Sequence, residues 1–225
     1  VVDQTRIMLK LTVITHTRLA QYTKWVEESV KSVTDNLPPN STHKIEVIGD
    51  LSITDFMTAR AKSLPESGYF CFVDDDDLVV NDSLRKCVEA LDKSGAGCAF
   101  TAQAFIDHDG QIIHSQKIRP INYFEASVHP QVIHHLCVMR RDAVDIDLCM
   151  KLYHKYNAGL EWIMKASTAL QHGAIQVPII GYHWRQHPTS NSKKSEFTSN
   201  YHGSIGKIGN DLSKLQRHYG VIPRY

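Results

Sequence analysis

The sequence predicts an α/β fold with a mostly parallel central sheet and helices on both faces, and three observations carry that reading. Short β-branched apolar runs alternate with segments of helical period through the first hundred residues, the pattern of strand–helix–strand crossovers. The third apolar run, Tyr69 to Val73, passes straight into Asp74-Asp75-Asp76-Asp77, and open sheets of this kind bind ligands at the carboxyl ends of their strands. No repeat, low-complexity stretch or linker divides the 225 residues, a length that suits one large α/β domain.

Taken in order, "IMLKLTVIT" from Ile7 to Thr15 is short, apolar and β-branched, and reads as a buried strand. In the segment after it Leu19, Tyr22, Val26, Val30 and Val33 recur at helical spacing, until Pro38-Pro39 stops the helix. "HKIEVIGD" is a second strand and "FMTARAKSL" a short helix ended by Pro65. "YFCFV" is the third strand; "DSLRKCVEALDKS" opens on a capping residue and ends at Gly95, as a helix should. "GCAFTAQAFID" and "QIIHSQKI" read as strands joined through Asp109-Gly110, a hairpin signal. Helices are expected over 141–157 and 160–172, a late strand over "AIQVPIIGYHWRQH", and a polar tail that turns helical around Gly206 to Tyr219.

Composition narrows the field. Lys and Arg number 25 against 24 Asp and Glu, so bulk charge points to neither nucleic acid nor a membrane surface. The apolar runs fall far short of the roughly 20 residues of a membrane span, and no basic-then-apolar leader opens the chain. The five cysteines are odd in number and form no CxxC pair, which argues against a disulfide framework or zinc ribbon and for buried thiols in a reducing, cytoplasmic setting.

Four consecutive carboxylates demand compensation, because like charges about 4 Å apart repel by roughly 4 kcal/mol at a protein surface. On an extended backbone Asp74 and Asp76 share one face and Asp75 and Asp77 the other. A carboxylate pair at a strand end suits Mg²⁺ or Mn²⁺, which take oxygen ligands. The plain alternative is a solvated acidic turn that also caps the helix beginning near Asn81. It explains one cap well and four acids poorly.

An apolar strand, then Asp-x-Asp-Asp, then a helix resembles the metal motif of GT-A glycosyltransferases, family 2 in particular. Its neighbours extend the resemblance over roughly residues 7 to 195: "TVITHTR" is similar to the first strand and nucleotide loop, "EVIGDLSITD" to the acidic second-strand loop with one residue extra, "TARAKSLPESGYFCFVDDDD" to the approach to the motif, "FTAQAFIDHDGQII" to the hairpin that follows, and "GLEWIMKASTALQHGAIQVPIIGYHWRQHPTSNS" to the acceptor-side helix and closing segment. The resemblance implies a GT-A (nucleotide-diphospho-sugar transferase) fold, with a nucleotide-binding half up to about residue 100 and an acceptor-side half from about 101 to 225. It implies an inverting, metal-dependent, hexosyltransferase-type enzyme using Mn²⁺ or Mg²⁺, a nucleotide-diphosphate sugar donor (a UDP-sugar foremost), and an acceptor hydroxyl on a saccharide, lipid-linked glycan or other molecule.

The same resemblance assigns roles. Thr15, Arg18, Asp50, Arg60, Asp74 and Asp75 fall on the donor side. Asp50 would read the base, Arg60 would orient the diphosphate or the motif, and Asp74 would lie near the ribose or the metal's water shell. Asp76 would ligate the metal, with His187 closing the site. Asp77, Trp162 and Arg185 would support it. Glu161 would be the general base, although the family usually shows Glu-Asp where this chain has Leu160-Glu161. His134 and His135, adjacent and so on opposite faces of a strand, read as structural or acceptor-facing residues. Two other readings stand beside this one: an inactive nucleotide-sugar-binding GT-A domain, and a metal-dependent nucleotidyl or phosphoryl transferase.

Overall fold

The computed structural model describes residues 10–17, 24–49, 51–118, 132–157, 159–188, 204 and 206–214. Among them eight strands form one sheet: β1 Leu11–Thr17, β2 Thr42–Val47, β3 Tyr69–Phe72, β4 Leu78–Val79, β5 Cys98–Ile106, β6 Ile112–Ser115, β7 Cys137–Arg140 and β8 Ala174–Arg185. The helices are α1 Lys24–Asn36, α2 Ile53–Lys62, α3 Ser83–Ser94, α4 Ile146–Tyr156 and α5 Leu160–His172, with a 3-10 turn at Arg141–Ala143. Residues 206–214 are helical as well.

The strand order is β2-β1-β3-β7-β5-β8-β4, with β6 beside β5. β1 is parallel to β2 and β3, and β5 is parallel to β8. β7 is antiparallel to both β3 and β5, and β4 and β6 run against β8 and β5. Hence β1, β2, β3, β5 and β8 all point one way, which is the mostly parallel sheet the sequence implies. The short β4 turns back immediately after the acidic run, where the sequence suggests only a passage into a helix.

Side chains alternate across the sheet and fill two cores. On one face Leu11, Val13, Cys71 and Val73 pack with Val33 of α1 and Leu84, Cys87 and Leu91 of α3. On the other, Ile14, Phe70, Phe72 and Phe100 pack with Leu152 of α4 and Leu160, Ile163 and Met164 of α5, and Ile208 and Leu212 join them. Helices therefore cover both faces. All five cysteines are free and buried, as expected. No helix among the described residues is long and apolar enough to cross a membrane.

Local chemistry sets the boundaries. Ser52 caps α2 by accepting from the Asp55 N–H at 3.1 Å. Asp145 caps α4 by accepting from the Leu148 N–H at 3.0 Å, which is why the helix expected from 141 begins only at Ile146. The cap expected on α3 is not made. Asp82 sits in the left-handed region at φ 56° with no side-chain cap bond, and its carboxylate binds Arg85 instead. The hairpin at Asp109-Gly110 forms as expected: Asp107 Oδ1 accepts from the N–H groups of Asp109 and Gln111, both at 2.9 Å, and Gly110 takes φ +86°.

β8 carries much of the site and runs close to α3 at Gly181. A Cβ there would lie 2.6 Å from Thr101 Cγ2 and Oγ1 and 2.7 Å from Ser83 Cβ, whose hydroxyl donates to the Gly181 carbonyl at 2.9 Å. Gly181→Ala is expected to destabilise the fold by about 1–3 kcal/mol, the usual cost of overpacking, measured by urea unfolding. An unchanged midpoint would mean that the contact relaxes freely.

Candidate functional site

The acidic run leaves β3 and turns at once: the Asp77 N–H donates to the Asp74 carbonyl at 3.3 Å. A turn destroys the two-residue alternation of a strand, so the expected face-sharing of Asp74 with Asp76, and of Asp75 with Asp77, does not occur. The four carboxylates go to four different environments.

Asp74 faces inward to Arg60 of α2, and the other arm of the same guanidinium holds Glu161 in the first turn of α5. The Arg60 guanidinium carbon lies 4.8 Å from the centre of the Phe56 ring and 4.9 Å from that of Phe72. Glu161 also pairs with Lys165, one helical turn on. His135 completes the cluster, its Nδ1 3.5 Å from Glu161 Oε1 and its Nε2 3.7 Å from Asp74 Oδ2. Burial pulls the imidazole down to about 4, so His135 is neutral at neutral pH. Burial would raise both acids, but Arg60 beside Asp74, and Lys165 and Arg60 beside Glu161, outweigh it and hold both carboxylates below their usual range.

Asp77 goes the other way, into the protein. It is fully buried, its Oδ1 accepts from the Arg185 N–H at 2.7 Å, and burial, with the neighbouring Asp76 and Asp74 charges, pushes its pKa well up. Asp75 and Asp76 stay at the surface of the turn. Burial, then the charges of Asp76 and Asp74, pushes Asp75 up to about 6. Burial and Asp74 raise Asp76 too, against His187. Asp76 Oδ2 lies 2.7 Å from His187 Nε2, and the Asp76 side chain keeps 28% of its surface exposed.

Arg185 does not face outward, where it could help bind a phosphate. It is 1% exposed and its donors are committed: Nε to the Asp76 carbonyl at 2.8 Å, Nη1 to the His108 carbonyl at 3.1 Å, and Nη2 to Glu28 of α1 at 2.8 Å. Trp25, one turn before Glu28, lies with its ring centre 5.5 Å from that guanidinium and 4.7 Å from the His187 ring.

The remaining expected residues fall as follows. Thr15 is buried, with Oγ1 3.0 Å from His43 Nε2 on the neighbouring strand. Trp162 lies in the core beneath α5. Arg18 and Asp50 lie outside the described residues. His134 and His135 precede β7 in a bend, not in a strand, so their rings do not diverge; they meet edge to face at 4.6 Å. The sequence does not single out Lys165, Trp25 or Glu28, and it marks His135 as structural or acceptor-facing without its contacts to Asp74 and Glu161. Lys165 was within reach, because Glu161 and Lys165 stand at i and i+4 of a helix. The contacts of His135 were not, because its partners are distant in sequence.

Among the described residues no three His, Cys, Asp or Glu side chains gather as a metal cage. Asp76 and His187 instead supply one carboxylate and one imidazole side by side. The carboxylate suits Mn²⁺ or Mg²⁺ with phosphate oxygens and water as the other ligands, and the imidazole favours Mn²⁺ of the two.

No family model matches the sequence, and no curated protein matches it. Solved structures match the fold. S. aureus TarS superposes with a TM-score of 0.53 at 12% identity, over 96% of this chain and 44% of TarS. The TarS 1–349 structure in complex with UDP-GlcNAc gives 0.52 at 10% identity, over 94% of this chain and 73% of that one. The complex with UDP gives 0.51 at 11%, over 95% and 72%. The chain thus spans less than half of the longer TarS chain. The likeness is one of fold, and the fold is the α/β GT-A architecture that the sequence resembles.

The Arg60 bridge generates a stability prediction. Arg60→Ala leaves Asp74 and Glu161 in place with only Lys165 as a cation partner. Breaking a buried pair costs about 3–5 kcal/mol, and because the Asp74 side chain is 36% exposed solvent screening brings the expected loss to the lower end of that range, about 3 kcal/mol. Chemical unfolding should show a loss of that size. A loss below about 1 kcal/mol would show that water replaces the guanidinium without difficulty.

Proposed function

We propose that this protein is a glycosyltransferase that moves a sugar from a nucleotide-diphosphate sugar, a UDP-sugar foremost, to an acceptor hydroxyl, with Mn²⁺ or Mg²⁺ as cofactor and inversion at the anomeric carbon. The observation that carries it is the Asp76–His187 pair, set beside the Arg60–Asp74–Glu161 bridge. It stands at the carboxyl end of β3 in a fold that matches TarS structures solved with UDP-GlcNAc and UDP.

In this reading Asp76 and His187 hold the cation. When bound, it neutralises the diphosphate so that the nucleotide can leave. Asp74, fixed by Arg60, faces the ribose side. The acceptor hydroxyl oxygen attacks the anomeric carbon, the bond to the diphosphate oxygen breaks with its electron pair, and Glu161 takes the hydroxyl proton. One direct displacement inverts the configuration. Glu161 is ionised at every working pH because Lys165 and Arg60 hold its pKa down. It is therefore always available and always a weak base, so the proton moves late, when the attacking oxygen has become acidic.

A second reading, a nucleotide-sugar-binding domain without turnover, rests on the commitment of Glu161 to both Arg60 and Lys165. Glu161→Gln separates the two. A base is worth about 10²–10⁴-fold in rate, so transfer, or donor hydrolysis by water in its place, should fall by that factor while UDP binding is retained. Wild-type turnover in this variant would remove Glu161 from the chemistry. Absence of turnover in the parent protein, with donor binding intact, would favour the binding domain.

Donor and metal binding are read by thermal shift with UDP and UDP-GlcNAc, each with and without Mn²⁺, since a ligand specific to the folded state raises its stability by mass action. The Mn²⁺-dependent part should vanish in Asp76→Asn. Ligation needs an ionised Asp76, whose pKa burial and the Asp74 charge raise, and Asp75 beside it, pushed up to about 6, adds its negative charge to the turn only as it ionises. The Mn²⁺-dependent shift should therefore grow as pH rises from about 5 to about 7. Equal shifts at both pH values would detach the metal from the acidic turn.

A further inference from the structure

Beyond the acidic turn, a row of rings runs across β8, β5 and β6. Gln103 and Phe105 of β5 pair with Tyr182 and Trp184 of β8, and Phe105 pairs with His114 of β6. Paired residues, and residues two apart on one strand, share a face, so these side chains lie on one side of the sheet. The rings are in sequence contact: His135 stacks on Tyr182 at 5.0 Å, His134 meets His135 at 4.6 Å and Trp184 at 4.9 Å, Trp184 meets Phe105 at 5.3 Å, and Phe105 stacks on His114 at 5.8 Å.

The row is graded. Its inner end, Tyr182 and His135, is buried and touches the site through Asp74 and Glu161. Trp184, Phe105 and His134 are half-buried, and His114 is exposed. A core cluster would close over its rings; this one opens outward from the proposed reaction centre.

We propose that this strip is the acceptor platform, and that its ligand is a neutral saccharide whose ring faces stack on Trp184 and Phe105. The proposal rests on the glycosyltransferase reading and adds the acceptor class. Edge chemistry decides the class. Among the described residues, the cation–ring contacts fall on Phe56, Phe72, Tyr156 and Trp25, none of them in the strip, and Lys165, the cation whose charge acts on His134 and His135, is already paired with Glu161; proteins that stack single-stranded nucleic acid line the groove with positive charge. His134 fits the same picture. Its Nδ1 lies 2.7 Å from Gln103 Oε1, which puts a neutral hydrogen-bonding pair at the edge of the rings. Burial holds this imidazole neutral. Apolar ring faces with neutral hydrogen-bonding groups at their edge match the two faces of a pyranose, carbon-bound hydrogens on one and hydroxyls around the rim.

The test uses the whole chain with UDP present and three neutral trisaccharides, chitotriose, cellotriose and mannotriose, as probes. Saturation-transfer NMR should show contact to ring C–H protons of at least one, and titration of that sugar should weaken on the order of tenfold in Trp184→Ala. Trp184→Phe should keep most of the affinity. His114→Ala, a change at an exposed position that cannot disturb the core, should weaken the sugar by a smaller factor and serves if Trp184→Ala fails to fold. UDP affinity is measured in every variant and should not change. No transfer to any of the three sugars, or equal sugar affinity in parent and His114→Ala and Trp184→Ala, overturns the platform. Ring-dependent binding of a short single-stranded oligonucleotide, with none of the sugars bound, overturns the saccharide assignment. Failure of UDP to bind is a separate result that strikes the donor-site reading, and the sugar titrations still decide this one.

Discussion

The site hangs on one buried guanidinium. Arg60 joins α2 to the end of β3 through Asp74 and to the start of α5 through Glu161, and two phenyl rings flank it. Burying charge is expensive, and a pair offsets that cost only when its geometry and its count are right. The count here closes: Arg60 and Lys165 bring two positive charges, and Asp74 and Glu161 bring two negative ones. It closes only if His135 carries no proton, and burial keeps that proton off. A protonated His135 would add a third cation to a buried set that is already neutral.

That neutrality defines what is left over. With Asp74 compensated by Arg60, and Asp77 buried against the Arg185 N–H, the surplus negative charge of the run sits on Asp75 and Asp76. Arg185 cannot absorb it, because Glu28 already pairs with it. The turn is held instead by its backbone. Ser29 Oγ donates to the Asp74 carbonyl at 3.0 Å, the Asp74 N–H donates to the Tyr182 hydroxyl at 3.2 Å, and Arg185 Nε donates to the Asp76 carbonyl. Holding the turn by its main chain leaves Asp75 and Asp76 at its surface, with His187 Nε2 2.7 Å from Asp76 Oδ2. α1 and β8 supply the grip, which is why residues so far apart in sequence meet here.

Much of this was legible beforehand, and the rest was hidden for definite reasons. The buried strands announce themselves through apolar runs, and Pro38 and Gly95 mark helix ends and Asp109-Gly110 the hairpin by backbone chemistry that acts locally. Asp76, His187, Arg60 and Glu161 were named, and the structure brings them into one neighbourhood. The four aspartates do not follow a strand's two-residue alternation because the chain turns at Asp74 to Asp77, and nothing local in a run of identical residues says where a strand ends. The α3 cap failed because Asp82 found a better partner in Arg85. Arg185 was expected to support the site, and it does so from inside the protein, through the Asp76 carbonyl. Only the fold shows that three carbonyls and Glu28 had claimed it.

The acids of this turn also pull stability in opposite directions with pH. Asp74 and Glu161 have folded pKa values below their unfolded ones. Their contribution is in full force above the usual carboxylate range and fades as pH falls through it and below. Asp75 has the opposite sign: raised to about 6 from 3.8, it holds its proton more tightly when folded, so its contribution weakens as pH climbs between those two values. Asp77, buried and raised well above 3.8, acts in the same sense. At neutral pH the chain therefore keeps a locally unfavourable pair of charges on Asp75 and Asp76, a few residues from an ion bridge that is fully formed. Proteins that break a local rule in this way generally do so at a functional site. On the proposed reading, a cation on Asp76 would relieve repulsion that the contact with His187 offsets only in part.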